Sequence, residues 1–391
     1  MEKIIGKIKG MLDLKNIGYS LVFMLINITS IVVITNLTGL NLPMAFIASG
    51  LATILFHKLT FNKLPSFLGM SGSFVGGMIA ISQTQGVQYA LGGVVMGGLC
   101  YLAMSLAFFK WQEKILKYLP PYILNIGILL IGLSLVPIGG SIFSGDVIVA
   151  SVSLIALLVI ELKVKNPKVK MFSIPIALLI STLVSFALRG VPTIESQGLQ
   201  IVTPKFSLEA FTMISVVTLA TLFEILSDLK FAGDLIGKDA FEEVGVGRIL
   251  LGNAIGSVVG GFLGANITTS YSENNSGVQL TGYKNPNAQI GASIIFILVA
   301  LIPHALDVFL YIPQASFGGI VLYLFASIAV NGMRGLIKEL ENKKKFMITC
   351  LALGLSFISY SIGGVAVSSI FVAVAVAIIL NVVIKDTDEV I

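Results

Sequence analysis

Charge is what this chain has least of. Only 12% of its 391 residues are Asp, Glu, Lys or Arg, against 56% hydrophobic residues. Soluble domains carry about 25% charged residues, so this composition excludes an ordinary soluble domain. Mean hydropathy, at +0.97, is that of an integral membrane protein. Cysteine is scarce too: Cys100 and Cys350 sit apart in apolar stretches, and their plain reading is buried thiols. A disulfide framework and a cysteine metal site are both excluded. The two histidines, His57 and His304, fall at segment ends and read as polar tips. No His/Cys cluster has metal spacing, no Walker-type phosphate loop occurs, and no Ser/His/Asp arrangement stands out. A run of voltage-sensing arginines is missing, as is a selectivity-filter repeat. No enzyme activity and no cofactor are therefore expected. The N-terminus carries Lys3, Lys7, Lys9 and Lys15 in a basic amphipathic piece without a small-residue cleavage site. No cleavable signal is expected, and the net charge of +5 belongs to topology rather than to nucleic-acid binding.

Uncharged sequence is abundant. Residues 16–57, 64–109 and 346–384 contain no Asp, Glu, Lys or Arg. A spanning helix needs about 20 apolar residues, so each run holds two segments. Read along the chain, fourteen segments follow, centred on 17–37, 43–57, 67–83, 88–109, 120–138, 146–161, 171–188, 208–230, 247–265, 268–282, 287–303, 314–331, 346–360 and 364–384. Lysine and arginine placement checks this count. Loops after even-numbered segments hold Lys58, Lys63, Lys110, Lys114, Lys163, Lys165, Lys170, Lys238, Arg248, Lys284, Arg334 and Lys345 among others, whereas outward loops hold only Arg189 and Lys205. Both termini are therefore expected in the cytoplasm. The charged pieces 110–119 and 334–345 read as helices along the cytoplasmic surface.

Segments 3 and 10 break the pattern: FLGMSGSFVGGMIAIS and TTSYSENNSGVQLTGY are short, polar and rich in glycine and serine. Each stands third in a set of seven. Interrupted segments at matching places in two halves point to a transporter site built from inverted repeats, and an odd number of segments per half forces opposite orientation. Both are expected to be short extended pieces followed by half-helices whose freed N–H groups face a ligand. Residues 189–206 form the hydrophilic link between the halves.

Carboxylates inside such a chain are functional candidates by default. Glu224 and Asp228 lie four residues apart in segment 8 and share one helical face. Two carboxylates together in a low-dielectric cavity disfavour double ionisation, which suits a group that trades a proton with solvent. Lys230, two residues on, points to a different face. Glu273 in segment 10 can accept hydrogen bonds from the N–H groups of a flat heterocycle or act as a proton site. Asn274 and Asn275 add amide donors and acceptors, or stabilise the break in the segment.

At these residues the chain resembles the nucleobase/ascorbate transporters (nucleobase:cation symporter 2), whose bacterial members include uracil and xanthine permeases. The family signature of segment 10 is matched by Glu273, Asn274, Thr281 and Gly282; Ser276 replaces its glycine, with Gly277 one step later. The resemblance extends to FEILSDLKFAGDLIGKD in segment 8, PSFLGMSGSF in segment 3 and FGGIVLYLFASIAVNGMRGL in segment 12. It implies an all-α polytopic membrane protein of 14 transmembrane segments in two inverted 7-segment repeats, with short strands in segments 3 and 10. Residues 1–109 and 206–303 would form a core domain (segments 1–4 and 8–11), and 110–205 and 304–391 a gate domain (segments 5–7 and 12–14). Carried over by position, Glu224, Glu273, Gly72, Ser73 and Asn274 would bind substrate, and Asp228, Glu224 and Asn253 would serve proton or cation coupling. Asp228 falls where uracil permeases carry His and xanthine permeases Asp. Members commonly pair as homodimers through the gate domains. The sequence departs from the family near Ser20 and Leu21, where a Gln/His pair is usual, at Asn253, where many relatives have Asp, and at Asn266 and Ile267, where a Pro is common.

The expected function is secondary active uptake of a nucleobase, uracil or a xanthine-like purine, across the inner or plasma membrane by alternating access. The coupling ion is a proton or sodium. The rival readings are a transporter of another small solute or an anion on the same fold, a passive channel, and a membrane-embedded enzyme using Glu224 and Asp228 as acid and base.

Overall fold

The computed structural model describes residues 13–118, 120–170, 172–362, 365–367 and 369–384. The basic piece with Lys3, Lys7 and Lys9 lies outside the described residues. Fourteen helices of ten or more residues are found among them, with three single turns at Pro167–Lys170, Ala240–Glu243 and Asp307–Leu310. In the first half these are α1 (Leu14–Thr38), α2 (Leu42–Leu59), α3 (Val75–Thr84), α4 (Val87–Tyr118), α5 (Pro121–Gly145), α6 (Val147–Lys163) and α7 (Ser173–Arg189). The second half holds α8 (Leu208–Leu235), α9 (Val246–Leu263), α10 (Ser272–Thr281), α11 (Asn287–Leu301), α12 (Gln314–Leu336), α13 (Lys343–Leu355) and α14 (Ser369–Val383). Seven of them (α1, α2, α4 over Val87–Gln112, α5, α8, α9 and α12) are long and apolar enough to cross a membrane. The chain is a multi-pass membrane protein.

Local chemistry sets the helix ends. Asn41 caps α2 by accepting from the Met44 N–H at 3.1 Å, with Pro43 in the first turn. Ser207 caps α8 through the Ala210 N–H. Such caps satisfy donors that the helix itself cannot. α1 and α10 stop at Gly39 (φ 68°) and Gly282 (φ 66°), which adopt the left-handed conformation that other residues avoid.

Two strands cross at the centre. β1 (Leu68–Met70) pairs antiparallel with β2 (Thr268–Ser270), in the register Leu68↔Ser270 and Met70↔Thr268. β1 leads through the single turn Gly72–Phe74 into α3, and β2 directly into α10, each helix ten residues long. At 1.5 Å per residue such a helix spans about 15 Å, half a hydrocarbon core. The first residue of each strand is fastened by a hydroxyl from the preceding long helix. Thr53 Oγ1 on α2 donates to Leu68 O at 3.0 Å and accepts from Leu68 N at 2.9 Å. Ser257 Oγ on α9 does the same for Thr268, both at 3.2 Å. Tyr271 Oη donates to Met70 O at 2.8 Å, and a Cβ at Gly69 would stand 2.3 Å from the Tyr271 ring, so only glycine fits there. Thr53→Val keeps the shape but strands both Leu68 groups. We expect it to destabilise the protein by about 1–3 kcal/mol, read as a lower unfolding temperature in detergent, with Thr53→Ser near wild type.

The helices pack in corresponding pairs. α2 lies on α9; α9 lies against α4 as α2 lies against α11; α1 meets α11 as α8 meets α4. α6 pairs with α7 and α13 with α14, while α5 runs along α12. The largest apolar cluster contains Phe23, Phe46, Phe56, Phe67 and Phe296; a smaller one gathers Tyr122, Ile126, Leu336, Ile348 and Ala373 from α5 and α12–α14.

Several expectations need correction. Residues 334–345 are not one surface helix. α12 ends at Leu336, a single turn covers Glu339–Glu341, and Asn342 caps a new helix, its side chain accepting from Lys345 N. Lys344 is buried there, and its Nζ donates to Asn381 O at 3.0 Å. The piece after Lys110, by contrast, is helical as expected, set off from the rest of α4 by a kink at Trp111 (φ −132°, ψ 29°). Before α14 the chain forms a hairpin, β3 (Tyr360–Ile362) with β4 (Val365–Val367), where a membrane segment was expected from 364. Alternating Tyr360, Ile362, Val365 and Val367 favour that hairpin. Cys350 is exposed rather than buried. His57, expected as an interfacial tip, is fully buried, with Nε2 against Ser66 O at 2.8 Å.

Candidate functional site

Where the strands cross, the chain leaves a cavity of about 300 Å³, at the lower end of the range for small-ligand sites. Its polar lining groups come from α1, the turn Gly72–Phe74, α8, β2 and the start of α10, with apolar Val33, Ile34, Leu37 and Met70 among them. The opposite wall is largely apolar and comes from α7 and α12 through Ile174, Val321, Leu324, Phe325 and Ile328. Such a slot suits a flat solute that shows polar groups along one edge and apolar faces elsewhere.

Glu224 and Glu273, far apart in sequence, both line this cavity. Glu224 reaches the cavity from the middle of α8, and the break at β2 places Glu273 in the first turn of α10, whose free N–H groups favour a negative charge. Each carboxylate is held by one serine. Ser73 Oγ donates to Glu224 Oε2 at 3.1 Å, and Ser30 Oγ donates to Glu273 Oε1 at 2.9 Å. Among the described residues no hydrogen bond from another side chain reaches the remaining oxygen of either glutamate. Gly72 and Ser73 also line the cavity, as does Ser71, whose own hydroxyl is buried and has no hydrogen-bond partner among the described residues.

The other predicted residues stand further back. Asp228 does not line the cavity; its Oδ1 accepts from Ser272 Oγ at 2.8 Å, and Ser272 is a lining residue. Asn274 is not among the residues lining this cavity: fully buried, it donates through Nδ2 to Pro65 O at 2.8 Å, bracing the chain just before β1. Asn275 likewise holds Asp228 O at 2.9 Å. Asn253 is buried in α9 and outside the cavity wall; its Nδ2 donates to Ile249 O, and its Oδ1 has no partner. From α1, the structure brings Thr29 and Ser30 to the site rather than the neighbourhood of Ser20 and Leu21. Ser20 bonds its own helix at Asn16 O and lies against Gly291, and Leu21 is exposed. The polar run INITS in α1 is the only sequence signal that could have pointed to Ser30.

Two more cavities adjoin the first. One of about 370 Å³ shares Thr29, Ser30, Ile174 and Glu273 with it and reaches Glu161 and Lys170 at the α6–α7 connection. Another of about 390 Å³ shares Ser73 and reaches Glu209 and Tyr360. A larger crevice of about 590 Å³ between α1 and α7 is lined almost wholly by apolar side chains and holds no carboxylate. Outside all of these, Ser196, His304 and Asp307 meet on the loops flanking α7–α8 and α11–α12. Both Ser196 Oγ (3.0 Å) and Asp307 Oδ2 (2.9 Å) approach the same nitrogen, Nδ1, so this is a clasp and not a nucleophilic triad. The His304 imidazole holds the Asp307 carboxyl below the usual carboxylate range. Among the described residues, no group of His, Cys, Asp and Glu could hold a metal ion.

Similarity to known proteins extends over most of the chain. The model of a permease family (Xan_ur_permease) matches residues 14–362. The chain is 28% identical over 375 residues to a probable uracil permease of Haemophilus influenzae, covering 90% of each chain. It is 25% identical over 376 residues to a uracil permease of Escherichia coli K12, covering 90% of this chain and 87% of that one. Among solved structures, the transmembrane domain of a cyanobacterial bicarbonate transporter, BicA, superposes with a TM-score of 0.67 at 16% identity, covering 94% of this chain and 96% of that one. The overall structure of SLC26A9 gives 0.71 at 12% identity, and there this chain spans 64% of the other's length.

Proposed function

This chain belongs to the nucleobase/ascorbate transporter family of permeases, and on that premise we propose that it carries a uracil- or xanthine-like base across the cell membrane by cation-coupled alternating access. The observation that carries the reading is the pair of glutamates lining one cavity, each with an oxygen that no donor among the described residues reaches. A planar base that offers an N–H to each satisfies both, and a solute without them leaves a carboxylate unpaired at a cost of about 1–3 kcal/mol. The relatives are named permeases and not enzymes, so enzymatic use of Glu224 and Asp228 is set aside.

The corresponding helix pairs support an arrangement of fourteen segments in two inverted repeats, with α1–α4 and α8–α11 as core and α5–α7 and α12–α14 as gate. In this reading both termini are cytoplasmic, the protein is a homodimer, and the cavities towards Lys170 and towards Glu209 are the two access routes. Asp228 sits one turn from Glu224 and behind Ser272, a place suited to coupling a proton to occupancy of the site. Asn253, with its unpartnered Oδ1, is the corresponding candidate for a sodium-linked variant. The bicarbonate transporter and SLC26A9 share the fold, but no Lys or Arg lines this cavity, which disfavours an anion.

The test is accumulation in proteoliposomes. Labelled uracil and xanthine are offered under a pH gradient, a sodium gradient or neither. At least one base should concentrate above the medium under one gradient and leak out when it collapses. Equilibration without concentration would make this a channel, and failure with every base under both gradients would overturn the substrate class.

A further inference from the structure

In the arrangement proposed above, the chain passes between core and gate three times. The first crossing, from α4 to α5, lies at the far end of α4 from Val87. The second (190–207) and the third (302–313) meet at the other end, through Ser196, His304 and Asp307.

The second crossing changes allegiance at one residue. Arg189, the last residue of α7, binds Asp146 at the start of α6 (Nε to Oδ2, 3.0 Å), so the chain is fixed to the gate up to there. From Gln197 onward its partners lie on the core. Leu42 N donates to Gln197 Oε1 at 3.1 Å, Asn41 Nδ2 to Gly198 O at 2.9 Å, and Lys205 N to Gln88 O at 2.9 Å. The seat on α4 is close: a Cβ at Gly92 would stand 1.8 Å from Lys205 O. Between the two sets of anchors stands Gly190 (φ 81°, ψ 171°), in a region of backbone space open almost to glycine alone. Nothing lies within 4 Å of where its Cβ would be, so packing does not hold this bend.

The third crossing also sits on the core. Leu306 is buried in the main apolar cluster, and the Phe309 ring lies 6.5 Å from that of Phe46 on α2. His304 holds φ 66°, a conformation that residues with a side chain avoid. Such a backbone persists where its surroundings over-determine it. Here the surroundings are the clasp. Ser196 Oγ donates to Asp307 Oδ1 at 3.0 Å, while His304 Nδ1 approaches Asp307 Oδ2 at 2.9 Å and Ser196 Oγ at 3.0 Å. An exposed ion pair alone is worth little, but the Asp307 side chain is only 18% exposed and both its oxygens are engaged.

We infer that the clasp joins the two crossings into one strap that stays closed and travels with the core, and that Gly190 is the pivot on which the strap turns against the gate. The inference rests on the transport reading above and adds to it the place where the moving part bends.

A cysteine pair tests the clasp. Ser196→Cys with Asp307→Cys, in a chain carrying Cys100→Ala and Cys350→Ser, opens the clasp when reduced. A disulfide, or a short bis-methanethiosulfonate bridge, closes it again. The reduced pair should take up labelled base about 3-fold more slowly than its parent, and the bridged pair should regain the parent rate. A bridge that stops uptake would make the clasp a latch that opens in every cycle, and a reduced pair at the parent rate would leave it no part in transport; either overturns the inference. For the pivot, Gly190→Ala should lower the maximal rate about 10-fold at unchanged KM, because a methyl bars this backbone conformation far from the base site. Adding Val191→Gly moves the freedom one residue along and should restore most of the rate. A glycine that merely stabilised the loop would not be rescued by a second flexible residue, so an unrescued loss, or no loss, removes the pivot. Trypsin gives a readout without any base. Arg189 and Lys205 are exposed and flank the strap. Cleavage there in detergent should quicken about 5-fold in Asp307→Ala and return to the wild-type rate in the bridged pair. A wild-type protein that takes up no base would sink the transport reading, whereas cleavage indifferent to the clasp would sink the strap by itself.

Discussion

Glu273→Ala and Glu224→Ala are each expected to lower accumulation of the transported base by about 100-fold or more, with the full-length protein still in the membrane. Removing one partner of a buried, charge-assisted hydrogen bond costs about 2–5 kcal/mol, and here the loss is double. The base is left with an unpaired N–H in a slot whose far wall is apolar, and Ser30 or Ser73 loses its acceptor. Gln at either position should be milder, about 10-fold, because its carbonyl oxygen can still accept from the base while its amide faces the serine. The grading Glu, Gln, Ala is itself informative, since a site that used the carboxylate only to shape the cavity would treat Gln as wild type. Neither change should harm folding, because both side chains border a cavity and hold no backbone group in place. Membrane levels by immunoblot, with uptake per unit of protein, separate the two effects. Wild-type uptake in either Ala variant would remove that glutamate from the site.

Both glutamates could be seen in the sequence because a carboxylate within an apolar run is costly and needs an explanation. Glycine and serine made 67–83 and 268–282 stand out for the same physical reason: they cannot form an ordinary lipid-facing helix. Ser30 did not stand out. It is one hydroxyl among several in α1, and only the packing of α1 against α10, 243 residues away, distinguishes it from Ser20. Ser20 bonds back to its own helix, as serine can in any apolar helix. Asn274 misled for a related reason. An amide next to a site glutamate reads as a ligand, yet the extended chain before β1 has carbonyls that need donors, and Asn274 supplies one at Pro65. The hairpin before α14 was hidden because its alternating residues are nearly all apolar, so a strand pattern and a membrane segment look alike.

A second large effect should come from two glycines that do not line the cavity. Gly132→Leu on α5 and Gly332→Leu on α12 are expected to abolish the folded protein. A Cβ at Gly132 would lie 2.2 Å from Ala329 N and 2.5 Å from Ala329 Cα; at Gly332 it would lie 2.4 Å from Leu129 N. These are backbone atoms, so no side chain can rotate away, and the helices must separate. In lipid no hydrophobic force pulls them back, because association rests on close packing that small residues permit. Gly140→Ala, also on α5, is the control: nothing lies within 4 Å of its Cβ, and it should fold as wild type. Fluorescence-detected size exclusion of the detergent-solubilised protein reads the difference as loss of the monodisperse peak. The smaller change Gly132→Ala is the more instructive for function. Phe325, one turn before Ala329 on α12, forms part of the cavity wall facing the glutamates, so a slight spreading of α5 from α12 reaches the slot. Uptake should then fall by about 10-fold while the peak survives, because overpacking by one methyl costs about 1–3 kcal/mol. If both peak and uptake are unchanged in Gly132→Ala and Gly132→Leu, the spacing of these helices is not set by the glycine contact.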